Sequence, residues 1–295
     1  MSAGAFVGRP SAGPREAADW SRRRILSNDL HSVVGRAFPR VRGMAREPSW
    51  LFFEILLPFL TTSSFVFVYR ALQSPPEYIG FVVLGGAMTA FWLNVVWMMA
   101  AQLYWEKDQG NLELYFAAPM NVMAVLFGMA IGGLFMSGTR AVVVLVVASL
   151  VYGVQFSVEQ WGLLLIVFFL TLAALYGLGM VLASLFLMWG REAWHATQLL
   201  TEPVYFVSGL NFPIAALGRL GALALATIPL ATGLDAMRQL AFAGTDPQPP
   251  PFLSPAAEAG LLVLMTIFFI GLARFMLRSL EQRARREGRL TVRWR

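Results

Sequence analysis

Runs of about twenty apolar residues constrain this chain more than any other feature. A hydrocarbon core about 30 Å thick takes roughly 20 helical residues to cross. Six stretches read as crossings: 50–69, 79–103, 122–151, 161–188, 196–213 and 256–277. The expected fold is an all-α polytopic membrane protein, with a six-helix transmembrane domain over 49–279. Composition agrees, because 57% of residues are hydrophobic and only 14% charged, against about 25% charged in globular chains. An ordinary soluble domain is excluded. The absence of cysteine removes disulfides, Cys-ligated zinc and iron–sulfur clusters from consideration.

The net charge of +6 does not point to a nucleic-acid partner, because the arginines gather at the two ends of the apolar block. Before Trp50 there are nine arginines against four acids, and from Arg278 onward seven against two. The loops 71–78 and 152–160 carry no basic residue. The positive-inside rule therefore places both termini in the cytoplasm. Residues 1–21 are rich in Gly, Ala, Pro and Arg and read as a disordered tail; 280–295 read as a basic cytoplasmic tail. Arg22-Arg23-Arg24 is followed by Ile-Leu-Ser-Asn-Asp-Leu, too polar for a signal-peptide core. Between them, over 22–48, Ile25, Leu26, Leu30, Val33, Val34, Ala37 and Phe38 recur at helical spacing among arginines. Such a basic amphipathic helix is expected to lie along an anionic leaflet of membrane lipid.

Several polar residues break the apolar pattern. The segment 122–151 is long for one crossing and contains Arg140, expected to snorkel to the outer interface. Gly128 and Gly132 form a small-xxx-small pair of the kind that permits close helix packing. Glu54 stands one turn beyond Trp50 and is expected to pair with Arg46. Glu202 precedes Pro203 about 10 Å into its helix, and a buried carboxylate there asks for a partner or a role. The stretch 214–254 has intermediate polarity and no run long enough to span, so short re-entrant or interfacial helices are expected there.

The stretch 104–121 lies between two crossings and has chemistry of its own. Glu106, Lys107 and Asp108 follow the apolar run, and Gly110 breaks the helix. Asn111 can cap a new short helix, with Glu113 in its first turn favoured by the helix dipole. Leu112, Tyr115 and Phe116 fall at i, i+3 and i+4 and give that helix one apolar face; Pro119 ends it.

Catalytic chemistry finds no support. The only lysine is Lys107, followed by Asp, so no phosphate loop ending in Gly-Lys-Ser/Thr exists. His31 and His195 belong to no His-Glu-x-x-His pair, and no Gly-x-Ser-x-Gly elbow is present. Two rival readings stay open: an ion-gradient-driven secondary transporter with Glu202 as coupling acid, and a lipid-modifying membrane enzyme.

The wording Glu106-Lys-Asp-Gln-Gly-Asn-Leu-Glu-Leu with Ala118-Pro119 resembles the acidic loop of type-2 ABC transporter permeases, although Asn111 stands where Thr is commoner. Pro203, Phe206, Ser208-Gly209 and Phe212-Pro213 are similar to that family's fifth helix. Pro229-Leu with Leu234-Asp-Ala-Met-Arg238 resembles its outer re-entrant stretch, and Glu281 with Arg285-Arg286-Glu-Gly288 its basic ending. With Arg46-Glu-Pro leading to Pro58, the resemblance covers Arg22 to the last residue. It implies a non-catalytic membrane subunit of an exporter. The segment 104–120 would then be a coupling helix, with Glu106, Lys107, Asp108, Gly110, Leu112, Glu113, Tyr115 and Phe116 contacting a separate ATPase that binds ATP and Mg. Glu202, Pro203, Ser208, Gly209, Phe212 and Pro213 become candidates for shaping the pathway. Also implied are a second copy or related permease, a hydrophobic or amphipathic substrate, and the bacterial inner membrane.

Overall fold

The computed structural model describes residues 14–44, 48–110, 121–189, 195, 204–205, 208–244 and 251–287. Among these, every extended element is a helix, and the only bridge is an isolated parallel one between Ser157 and Phe242. The chain runs through α1 (Pro14–Met44), α2 (Pro48–Ala71) and α3 (Glu77–Leu93). A π-helical segment, Asn94–Ala100, carries α3 on into α4 (Gln102–Asp108). Then come α5 (Val122–Tyr152) and α6 (Trp161–Trp189). A 3₁₀ turn, Ile214–Leu217, leads into the short helices α7 (Gly218–Leu225) and α8 (Pro229–Ala241), and α9 (Pro255–Glu287) follows.

Among the described residues, five helical stretches are long and apolar enough to cross a membrane: Phe52–Ala71, Glu77–Lys107, Val122–Tyr152, Trp161–Leu187 and Pro255–Leu280. The expected crossing at 196–213 falls largely outside the described residues. Its far end departs from expectation, since 208–213 bend out of helical geometry instead of continuing to Pro213. Gly209, at φ +76°, takes a left-handed conformation that a Cβ would oppose.

The second crossing is the centre of the bundle, with 83% of its most apolar window buried against 17% for α2 and 22% for α9. It packs on α5 and α6, and α6 in turn carries α9 and α8. Phe91 meets Phe168 edge-on at 5.8 Å between ring centroids, and Val95, Met99, Leu126, Met129, Leu175 and Met180 fill the space between. In lipid this packing stabilises by close van der Waals fit, because the tails outside are as apolar as the core. The π segment places Asn94 inside the bundle, where its Oδ1 accepts from the Tyr176 hydroxyl at 3.3 Å. Such bulges insert an extra residue and turn the following helix about its axis.

Two expectations about buried charge need correction. Arg140 does not snorkel: it is 7% exposed and pairs with Glu54 of α2. Glu54 therefore finds Arg140 and not Arg46, which lies outside the described residues. The physical reason is that α5 is one uninterrupted helix. Arg140 sits ~27 Å along it and ~18 Å short of its end at the 1.5 Å rise per residue, too deep for its side chain to reach an interface. A facing carboxylate is the cheaper solution, since an isolated charge at that depth must be neutralised.

The consequence is measurable by chemical unfolding in mixed micelles. Arg140→Leu leaves Glu54 buried without its counter-charge and is expected to cost about 3–5 kcal/mol. The double variant Glu54→Leu/Arg140→Leu should recover most of that loss. Equal losses in the single and double variants would show that the pair does not act as a unit.

Candidate functional site

The acidic stretch is held at both of its ends by the N-terminal helix. α4 ends at Gln109–Gly110, where Gly110 adopts φ +79°, as expected of a helix-terminating glycine. Glu106 does not face outward. It is 4% exposed, pairs with Arg36 of α1, and accepts from Gln102 Nε2 at 3.0 Å. Lys107 is half-buried. On the other side of the stretch, the Asn121 backbone N–H donates to Asp29 Oδ1 of α1 at 2.9 Å. The Asn121 side chain meanwhile accepts from Met123 N at 2.9 Å and caps α5. Asp29 and Arg36 are seven residues apart, two turns along one face of α1 and ~10 Å in length. Leu112, Glu113, Tyr115 and Phe116 lie outside the described residues, as does the side chain of Asp108.

α1 reaches this position by packing along α5. Gly128 makes the approach possible, because a Cβ there would lie 2.7 Å from the Val33 carbonyl oxygen and 2.8 Å from Arg36 Cβ. The small residue expected to permit close helix packing does so here against α1. Leu30, Val34 and Phe38, spaced four apart, point away from the bundle with 64%, 57% and 57% exposure.

The second group of candidates centres on an arginine. Glu202 and Pro203 lie outside the described residues. Ser208 is fully buried, and its N–H donates to Val204 O at 2.8 Å. Gly209 and Phe212 offer their carbonyls to Arg238 Nη1 at 2.5 and 3.2 Å, and Pro213 is buried beside them. Arg238 Nη2 donates to the carbonyls of Leu210 and Phe81, each at 2.9 Å. The Arg238 guanidinium lies 5.6 Å from the Phe81 ring centroid. Sequence reasoning found Arg238 but not what it holds, and it missed Asp29 and Arg36 as partners of the acidic stretch. Their sole sequence signal was a charge on an amphipathic helix. Among the described residues no group of three His, Cys, Asp or Glu is placed to hold a metal.

A double-mutant cycle tests whether α1 and α4 act together. Arg36→Met and Glu106→Gln should each lower unfolding stability, with a coupling energy of roughly 0.5–3 kcal/mol between them. A coupling near zero would mean the contact adds nothing beyond its neighbours.

No curated protein matches this chain. The family of the ABC-2 type transporter matches it over residues 39–242, more than two thirds of its length. That range takes in the acidic stretch, the four helices around it and the Arg238 cluster. The chain belongs to the ABC-2 type transporter family.

Proposed function

We propose that the chain is the membrane-spanning permease subunit of an ATP-driven exporter. It moves a hydrophobic or amphipathic substrate, such as a drug, a lipid or a lipid-linked glycan, out of the cytoplasm or inner leaflet. The observation that carries the proposal is the family match across 39–242, within which the acidic stretch lies. ATP and Mg belong to a separate ATPase subunit. A second copy or a related permease completes the pathway, and both termini face the cytoplasm of a bacterial inner membrane. α1 then lies in the cytoplasmic leaflet with Leu30, Val34 and Phe38 in the lipid, and α7 and α8 form the outer re-entrant pair. Beside Asn121, a cleft lined by Arg274, Arg278, Met123, Leu187 and Leu277 offers positive charge over an apolar floor, which suits an amphipathic anion.

In this reading the 111–118 helix docks on the ATPase. Its apolar knobs Leu112, Tyr115 and Phe116 carry the affinity. Asp108, Lys107 and Glu113 set orientation, since exposed ion pairs contribute under about 1 kcal/mol each. Glu106 and Asn121, tied to α1, pass the movement on to the bundle. Binding drives such movement only if it discriminates between nucleotide states.

Co-purification with transport and ATPase assays tests the docking. The double variant Tyr115→Ala/Phe116→Ala removes two aromatic anchors worth about 2 kcal/mol or more each, so ATPase capture should fall well over tenfold. Glu106→Arg should leave the complex formed but separate ATP hydrolysis from transport. Normal capture and transport by the double alanine variant would overturn the docking assignment.

A further inference from the structure

One buried cluster has no part in the reading above. Asp235 and Gln239 stand one turn apart on α8, and Glu258 stands in the first turn of α9. Asp235 is 5% exposed and Glu258 0%. Gln239 Nε2 donates to Asp235 Oδ2 at 3.1 Å and reaches Glu258 Oε2 at 3.4 Å. The same Nε2 donates to the Leu253 carbonyl at 2.9 Å, and the backbone N–H of Phe252 is a second donor, to Asp235 Oδ2 at 3.1 Å. Both carboxyls thus lie within reach of one amide, and Glu258 Oε1 is buried with no hydrogen-bond partner among the described residues.

Ionised carboxylates only accept hydrogen bonds. Two of them sharing one amide attract each other only if a proton lies between them. The charge inventory gives the same answer. Arg238 supplies one positive charge beside Asp235; its two Nη groups serve four carbonyls, and its Nε–H is buried without an acceptor among the described residues. Among the described residues, the other elements around the cluster bring uncharged groups. α2 brings the Tyr69 hydroxyl, which donates to Asn211 O at 2.9 Å. α3 brings Phe81 with Tyr78 behind it, α6 brings the Thr171 side chain against Gly233, and 209–212 bring backbone carbonyls. One cation with two carboxylates leaves one buried negative charge over. The N-terminal turn of α9 favours an anion, but only as a partial charge, which is small beside the cost of an uncompensated buried one.

We propose that Asp235 and Glu258 form a proton-binding carboxyl pair that fastens α8 to α9 through one shared proton. The ligand of the site is the proton itself. Its loss puts two negative charges against one amide and pushes α8 away from α9.

Infrared difference spectroscopy on the full chain in nanodiscs, with hydrogen–deuterium exchange, tests this. The wild type should show the carbonyl band of a protonated carboxyl near neutral pH. Glu258→Gln and Asp235→Asn should each abolish it, because either leaves one carboxylate balanced by Arg238. Thermal unfolding gives a second readout. Folding takes up the proton, so stability falls as pH rises. The wild type should lose thermal stability as pH rises above neutral. Glu258→Gln should show no such loss, since its amide donates to Asp235 at every pH. Should one variant fail to fold, the other carries the same test. Retention of the band in either folded variant, or equal pH dependence in wild type and Glu258→Gln, would overturn the proposal.

Discussion

A bent backbone inside an apolar bundle needs hydrogen-bond donors from somewhere, and here Arg238 provides them. Residues 208–213 leave helical geometry, so the carbonyls of Gly209, Leu210 and Phe212 lack the i+4 partners that a helix would give them. Lipid offers no water in exchange. A guanidinium carries five N–H groups in a fixed planar fork, and Arg238 directs four of them, those on its two Nη atoms, at those three carbonyls and at that of Phe81. An ammonium has three donors around a point and cannot match that spread. The bend, the short helices after it and the central α3 are thus joined at one side chain. α8 then sits where Asp235 and Gln239 meet Glu258. Removing the guanidinium would orphan four buried acceptors at once, which places Arg238 among the few positions where one substitution can disrupt several elements.

How much of this was legible in the sequence follows from the range of each interaction. Long apolar runs report on the local medium, so five of the membrane-length helices could be read directly, as could the glycine that ends α4 and the shortness of α7 and α8. Partner choice is another matter. Glu54 and Arg140 are 86 residues apart in number, and Glu106 and Arg36 are 70 apart. Nothing local distinguishes these partners from nearer ones such as Arg46. The error over Arg140 came from judging its depth by a segment's ends when the helix runs longer than one bilayer. The π segment was hidden for a related reason: an extra residue in a helix leaves no mark in an already apolar run.

The attachment of α1 bears on how a loop between two crossings can act on a bundle. A loop fixed only by its own two helices can swing with little effect elsewhere. Here both margins of the acidic stretch are tied to one rigid helix through Arg36 and Asp29, and that helix lies along α5 with its backbone against Gly128. Displacement of the stretch must either break a largely buried ion pair or carry α1 along. Since α5 also bears Arg140, whose partner is on α2, a shift of α1 reaches the second helix pair by contiguous contacts. Such a route couples two sites when the elements along it have two discrete arrangements.

The outer faces of the bundle extend the same reasoning. α2 and α9 bury little of themselves in this chain, and α2 exposes Phe53, Leu57, Leu60 and Phe67 together with Thr61 and Ser64. The two hydroxyls donate to the carbonyls of Leu57 and Leu60 on their own helix, each at 3.0 Å. They therefore demand no external partner, and the face is as compatible with lipid as with a neighbouring helix. Small hydroxylated residues also let helix backbones approach closely. If copies of the chain pack and part at such a surface, as in the proposed assembly, separating two faces already satisfied internally leaves no polar group exposed to lipid. The deep charges obey the complementary rule. Glu54 and Arg140, like Arg238 and the Asp235–Glu258 pair, find their partners within this one chain, so the proposed assembly can rearrange around them without uncovering a charge.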